Sequence, residues 1–390
     1  MNNKINVGVV GIGNMGSVHA RDLYEGEVEG ARLTAVCDID SDRLDWAREE
    51  FSQEVNTYQQ QEAFFEDEQL DAVVIATPHY DHPPQAIKAF QKGLHVLIEK
   101  PAGVYTGQVK KMNRVAEKSD CVFGIMYNQR TRPVFQKLKD LIDSGELGDI
   151  RRTNWIITDG YRSQSYSESG GWRATWAGEG GGVLINQNPH NLDLWQWTCG
   201  MPRRVRAFCH YGKYHQIEVE DDVTTYVEYD NGATGVYVTT TADAPGSNRL
   251  EVTGNRGKIV VENNSLTFWR LRTPEREFNK NYQGGFGAPE TWKCKIPISG
   301  ETSSHRGILN DWVRAIQEGK GSSSLLAPGK EGVKGLEISN AMHLSSWLGE
   351  MVEIPVDEEL YYQKLQEKIE NSDINFSDNG GKLLDVKGTH

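Results

Sequence analysis

Lys4-Ile5-Asn6-Val7-Gly8-Val9-Val10 runs directly into Gly11-Ile12-Gly13-Asn14-Met15-Gly16. The first seven residues form an apolar run, as a strand buried on both faces requires. The next six are a G-x-G-x-x-G that opens a helix. Its glycines permit a tight turn and let backbone approach a pyrophosphate closely. The helix N-terminus then turns unpaired N–H groups toward the phosphates. Asp38 ends the following strand, 22 residues beyond Gly16. A carboxylate there accepts hydrogen bonds from both ribose hydroxyls of NAD and repels the 2′-phosphate of NADP. Gly11, Ile12, Gly13, Asn14, Met15, Gly16 and Asp38 are therefore the expected cofactor cradle, for NAD rather than NADP. Arg43 is the nearby group suited to a phosphate.

Outward from that motif, residues 1–127 alternate short apolar runs with helical stretches. Strands are expected at Arg32–Cys37, Ala72–Thr77, Leu94–Glu99 and Cys121–Tyr127, with helices near 15–25, 41–50, 80–92 and 104–118. Strands separated by helices of this length imply crossover connections, hence an α/β fold with a doubly wound parallel sheet. Beyond residue 128 the texture changes. Arg132–Asp143 reads as a helix and Ile150–Thr158 as a strand. Gly160–Gly182, rich in Gly, Ser and aromatics, reads as loop. Leu184–Trp197 reads as a helix that kinks or restarts at Pro189. Residues 203–270 alternate apolar and polar, with Asn231-Gly232 and Asn255-Arg256-Gly257 as hairpin turns. This is the pattern of an open antiparallel meander. Residues 271–304 read as irregular. Helices follow near 305–318 and 331–349, their apolar faces suited to packing on the sheet or back on the first domain. The expected division is 1–127, a dinucleotide-binding Rossmann domain; 128–356, a substrate and oligomerisation α/β domain; and 357–390, a polar tail with a short helix at Glu358–Ile369 and a loose end.

Composition narrows the function. Of 390 residues, 42 are Lys or Arg and 55 are Asp or Glu, a net charge of −13. So acidic a chain is a poor ligand for nucleic acid or anionic membrane, and neither is an expected partner. No apolar run approaches the ~20 residues of a membrane helix. The N-terminal stretch lacks a signal peptide's long apolar segment. Five scattered cysteines without a C-x-x-C argue against a disulfide framework and a thiolate zinc site. A reduced, cytoplasmic protein is the expectation. His210, His215 and the acidic run Glu218–Asp222 lack tight ligand spacing. They read as solvated strand ends, and no metal is expected.

Two further pieces carry chemistry. Glu99-Lys100-Pro101 closes the fifth strand, and strand carboxyl ends face the ligand crevice of an open α/β sheet. A lysine there can hold a substrate hydroxyl and support charge as hydride leaves. The second piece is Gly180-Gly181-Gly182 followed by Asn186, Asn188-Pro189-His190 and Asp193. If Asn188 caps a new helix with Pro189 in its first turn, His190 sits in that exposed turn. Histidine is the side chain best suited to take a proton near neutral pH. The loop before the glycines carries Tyr161, Arg162, Tyr166, Trp172, Arg173 and Trp176. These can lay aromatic faces on a pyranose and aim guanidinium donors at hydroxyls or a carboxylate.

Together these pieces resemble the family of glucose–fructose oxidoreductase, inositol dehydrogenase and MocA. The matching motifs are Thr77-Pro78 with His82, Glu99-Lys100-Pro101, Ser144-Gly145-Glu146-Leu147-Gly148, Trp172-Arg173, the triple glycine, and His190 with Asp193. The resemblance implies a Rossmann domain followed by an α/β domain with an open, mainly antiparallel sheet that commonly serves oligomer contacts. A homodimer or homotetramer is therefore expected. It also implies reversible hydride transfer between nicotinamide and a secondary alcohol of a sugar, sugar derivative or cyclitol. Carried over, the strand-end lysine is Lys100 and the catalytic histidine His190. Asp193 matches a substrate-contacting position, and Tyr161, Arg162, Trp172 and Arg173 join it. Thr77, Pro78, His82, Glu99 and Lys100 fall on the cofactor side. The family's usual aspartate, four residues before the histidine, is Asn186 here. An amide there can orient a hydroxyl but supplies no negative charge.

Two other activities share the fold: a glycoside-cleaving enzyme that oxidises the sugar transiently with NAD, and a non-enzymatic ligand sensor. Retention of Lys100 and His190 argues against the sensor.

Overall fold

The structure, a computed structural model, describes residues 4–372. Six strands form a parallel sheet: β1 (Ile5–Val10), β2 (Ala31–Cys37), β3 (Asn56–Tyr58), β4 (Ala72–Ile75), β5 (His95–Ile98) and β6 (Phe123–Ile125), in the order β3-β2-β1-β4-β5-β6. Helices α1 (Asn14–Tyr24), α2 (Ser41–Glu50), α3 (Gln61–Phe65), α4 (His82–Gln91) and α5 (Thr106–Ala116) connect them. β1 and β4 are neighbours whose chains leave to opposite sides. The strand order reverses between them, and that switch point opens the crevice at the strand carboxyl ends. The doubly wound sheet is as the sequence predicts. The short pair β3 and α3 is additional. Three residues between polar neighbours carry no legible period, yet Phe64 and Phe65 are buried in the core.

The second sheet has nine strands: β7 (Ile150–Ile157), β8 (Arg204–Tyr211), β9 (Glu220–Glu228), β10 (Thr234–Thr240), β11 (Asn248–Gly254), β12 (Gly257–Glu262), β13 (Ser265–Leu271), β14 (Thr291–Ile296) and β15 (Val352–Glu353). Their order is β14-β13-β12-β11-β7-β10-β9-β8-β15. It is not a plain meander. β7 inserts between β10 and β11, parallel to the first and antiparallel to the second. Residues 271–304, expected to be irregular, contain β14, which adds an edge strand to β13 through Leu271, Phe268 and Leu266. The loop 160–182 likewise holds one short turn of helix at Gln164–Ser167.

Helix α6 (Pro133–Asp143) follows the first domain. With Gln164–Ser167 numbered α7, the helix bearing the histidine is α8 (Pro189–Cys199), which restarts at Pro189 as one of the two expected arrangements. Asn188 stands at the N-cap but does not cap with its side chain; its amide donates to Thr239 Oγ1 at 2.6 Å. After the short α9 (Glu275–Asn281), α10 (Ser304–Gln317) packs Ile308, Leu309, Trp312 and Val313 into the first domain's core. α11 (Gly332–Leu348) lies on β8 and α8, in the core of the second domain. α12 (Glu358–Glu370) is more than a polar tail: Tyr361 and Leu365 are fully buried in that same core. The expected loose end beyond it lies outside the described residues. All five cysteines are free thiols, and no helix among the described residues is long and apolar enough to cross a membrane.

Candidate active site

The glycine turn is built as its sequence requires. Gly11 has φ +81°, and a Cβ on it would lie 2.8 Å from the Ala76 carbonyl oxygen. A Cβ on Gly16 would fall 1.7 Å from the Gly11 carbonyl oxygen, so α1 can approach the strand only with glycine there. Gly13 is different, with nothing within 4 Å of its missing Cβ. The open space lies at the N-terminus of α1, where a pyrophosphate finds unpaired N–H groups. Asp38 accepts from Ile12 N at 2.8 Å through one oxygen and from Asp40 N at 3.0 Å through the other. Burial raises its pKa, against the two backbone amides and Arg43. Each oxygen keeps a lone pair for a ribose hydroxyl. Arg43 does not extend toward phosphate. Its Nε and Nη2 donate to the Ile12 carbonyl, at 2.9 and 2.7 Å, and its guanidinium lies over the Trp46 ring. The residues present therefore fit a dinucleotide: an open Cβ position at Gly13, a free helix terminus and a carboxylate at the end of β2.

At the ends of β4 and β5 the expected cofactor residues separate into two groups. His82 is 1% exposed, with Nδ1 2.7 Å from the Pro101 carbonyl and Nε2 2.7 Å from the Thr77 carbonyl. It staples the two strand-end loops together rather than facing the crevice. Thr77 Oγ1 donates to Gln85 at 2.8 Å, and Pro78 begins the turn into α4. Glu99 is also committed internally. One oxygen meets His19 Nε2 at 2.7 Å and the other accepts from Lys100 N at 3.0 Å. Burial alone would raise its pKa; His19, His305 and Lys100 overcome that and hold the carboxylate well below its ordinary range. Glu99 thus orients the strand end that carries Lys100. Lys100 is partly buried, and its Nζ donates to the Asn186 carbonyl at 2.8 Å. Burial lowers its pKa, with Glu99 opposing and Arg173 and Arg162 adding to the depression.

That one bond ties the strand end of the first domain to the glycine-rich wall of the second. The wall is held by Glu220, fully buried, whose Oε1 accepts from Gly182 N at 2.9 Å and Leu184 N at 3.0 Å. Asp221, also fully buried, accepts from the backbone amides of Lys213, Tyr214 and His215. The acidic run is therefore no solvated strand end: two of its carboxylates replace missing backbone acceptors inside the fold. Asn186 and His190 follow on the same segment, 6% and 8% exposed. His190 Nδ1 is buried without a hydrogen-bond partner among the described residues. Burial, then Lys100, pushes the imidazole pKa well below its ordinary value, so the ring is neutral and able to accept a proton.

The aromatic loop closes the wall. Tyr166 lies between two guanidinium groups, Arg162 at 5.2 Å and Arg173 at 4.9 Å from its ring centre. Arg173 also stacks over Trp172 at 4.5 Å, and Trp172 meets His79 edge-on. Tyr161 is 53% exposed at the rim. Trp176 instead packs against Tyr211, His343 and Trp347 in the domain core. Asp193 does not face the crevice. Arg130 grips it with Nε at 2.8 Å and Nη2 at 2.6 Å, Gln196 adds a third donor, and both members of the ion pair are 1% exposed. A carboxylate so enclosed ties α8 to the turn that follows β6, which carries Arg130.

Sequence reasoning missed three residues, His19, Arg130 and Glu179, and misread Glu220 as part of a solvated strand end. Glu179 stands directly before the triple glycine, and that adjacency was the only available signal. It is buried, accepts from Ala174 N at 2.6 Å and from the Asn186 side-chain amide, and lies 3.5 Å from Arg173 Nη1.

This combination of dinucleotide cradle, strand-end lysine and facing histidine defines an NAD-dependent oxidoreductase with a Rossmann domain and a sheet domain. Residues 5–127 match the oxidoreductase family model with NAD-binding Rossmann fold, and residues 135–260 match the GFO/IDH/MocA C-terminal domain. The chain belongs to the Gfo/Idh/MocA oxidoreductase family. It is 26% identical to scyllo-inositol 2-dehydrogenase (NAD(+)) of Bacillus subtilis, over 67% of this chain and 75% of that protein. It is 24% identical to levoglucosan dehydrogenase of Pseudarthrobacter phenanthrenivorans, over 83% and 92%. Among solved structures, the WlbA dehydrogenase of Chromobacterium violaceum, in complex with NADH and UDP-GlcNAcA, superposes with a TM-score of 0.75 at 26% identity, covering 91% of this chain and 97% of that one.

Proposed function

We propose that the chain oxidises a secondary alcohol of a sugar, sugar derivative or cyclitol with NAD, His190 taking the hydroxyl proton and Lys100 holding the oxygen. The observation that carries this reading is the meeting of Lys100 Nζ with the Asn186 carbonyl, four residues before His190, whose ring is kept neutral by burial and by Lys100. A neutral imidazole with a free nitrogen accepts a proton; an imidazolium does not. Lys100 Nζ uses one hydrogen on the Asn186 carbonyl, and its other hydrogens serve the substrate oxygen. Glu99 steadies the lysine from behind through its backbone amide. When bound, the nicotinamide supplies the hydride acceptor. Tyr161, Arg162, Trp172 and Arg173 form the sugar-facing rim, with flat aromatic faces for C–H surfaces and guanidinium donors for hydroxyls. Relatives named for inositol and levoglucosan share this family and support a polyhydroxylated ring as substrate.

His190→Ala should lower kcat by about 10²–10⁴-fold while NADH affinity stays within error. Because burial depresses the imidazole pKa below 6.5, activity should persist to lower pH than a free histidine allows, with its acid limb below 6.5. A variant with near-normal turnover, or an acid limb above 6.5, would remove His190 from the role of base.

A further inference from the structure

We propose that Glu179 is a positioning residue of this site: acting through the Asn186 side chain, its carboxylate supplies the negative charge that residue 186 itself lacks. The inference rests on the dehydrogenase reading above and deepens it.

The geometry is reciprocal. The Asn186 Nδ2 group donates to Tyr166 Oη at 3.1 Å and to Glu179 Oε1. Once ionised, the Glu179 carboxylate only accepts, which fixes Nδ2 as the end of the amide that faces it and leaves Oδ1 3.4 Å from Tyr166 Oη. The backbone carbonyl of the same residue holds Lys100 Nζ at 2.8 Å. Orientation of Asn186 is thereby coupled to placement of the lysine. Arg173 completes the ring, with Nη1 3.2 Å from Tyr166 Oη and 3.5 Å from Glu179 Oε1. The Glu179 main chain is pinned as well, its carbonyl 3.0 Å from His79 Nδ1.

The charges facing Glu179 are Arg173 and, with like sign, Glu220, while Lys100 in turn responds to Glu179. Burial pushes the Glu179 carboxyl up to about 7, against Arg173, Ala174 N and Asn186. An aspartate at 186 would set two carboxylates in direct contact in a buried space, and they could not both ionise. One of the pair must be neutral, and here the neutral member is an amide. The chain places the carboxylate at 179 and the amide at 186, and the arrangement predicts that the two can be exchanged.

The test compares wild type, Glu179→Gln, Asn186→Asp and the exchange Glu179→Gln/Asn186→Asp. Turnover is followed against pH with any sugar or cyclitol the wild type oxidises. Each single variant should lose at least about tenfold in kcat, with melting temperatures close to wild type. The exchange should recover to within about threefold, and Glu179→Gln should lose the ionisation near 7. A second readout does not need turnover. The Lys100 ¹³Cε signal, assigned by its loss in Lys100→Met, should titrate at lower pH in Glu179→Gln and return in the exchange. An exchange variant no better than Glu179→Gln, or a Lys100 titration indifferent to Glu179, would overturn the proposal. If the wild type oxidised no substrate, the dehydrogenase reading would fail, and the Lys100 titration would still decide whether Glu179 sets the charge at this wall.

Discussion

At the scale of single residues, the walls of the site are held by buried carboxylates. Glu99, Asp193 and Glu220 are buried, and each is matched by donors inside the protein. A buried ion pair contributes little net stability, but removing one partner leaves the other charge stranded. Asp193→Asn should therefore destabilise the protein by about 3–5 kcal/mol, because Arg130 loses its bidentate partner. Arg130 keeps Glu331 at 2.7 Å, which places the loss toward the lower end. Denaturant unfolding measures it; a change under about 1 kcal/mol would mean that the pair is not a structural anchor. The sequence alone could not separate Asp193 from a substrate ligand. Both readings need an acid one helical turn beyond His190, and the pairing with Arg130, distant in the chain, shows only in the fold.

At the scale of elements, the glycine turn gives opposite predictions for two neighbouring glycines. Gly16→Ala drives a Cβ into the Gly11 carbonyl and should cost stability by about 1–3 kcal/mol or more. Gly13→Ala meets no protein atom. It should leave the melting temperature nearly unchanged and weaken NAD binding by about tenfold or more, as read by calorimetry. Equal loss of stability in both variants would mean that the space at Gly13 is not the cofactor's. The parallel sheet was legible because each strand is an apolar run bounded by helix signals, and the G-x-G-x-x-G fixes the turn and helix after β1. The edges were not. β3 is three residues long, and β14 has a mostly exposed, charged sequence, so neither carries a period. Insertion of β7 between β10 and β11 is a matter of pairing, to which alternation is blind. α12 reads as polar because its buried face is narrow, carried by Tyr361 and Leu365 with support from Leu360 and Ile369. In the site, Lys100 and His190 were legible because they stand in motifs. Glu179 was not, because its partner Asn186 meets it only through the fold of the glycine loop.

At the scale of the whole molecule, the nine-stranded sheet buries one face against α8 and α11, and its other face is uncovered among the described residues. Phe208, Tyr226, Val236 and Ile156 stand on that open face, 37–52% exposed. Val236 pairs with Tyr226 on one side and Asn154 on the other, so the patch runs across adjacent strands. Such a face is ordinarily buried against another subunit, and we propose that it is the contact of a homodimer or of half a homotetramer. Phe208→Asp with Val236→Asp should reduce the light-scattering mass to one protomer, whereas a wild-type mass of one protomer would remove the proposal. The central claim concerns what the joined domains do. The most direct measurement is NADH absorbance, with NAD or NADP, across a panel of aldoses, methyl glycosides, uronates and inositols, run with wild type and His190→Ala in parallel. The prediction is net NADH formation with one ring configuration, with NAD preferred over NADP, in wild type and not in the variant. Release of an aglycone without net NADH, or no turnover of any member despite calorimetric NAD binding, would contradict it.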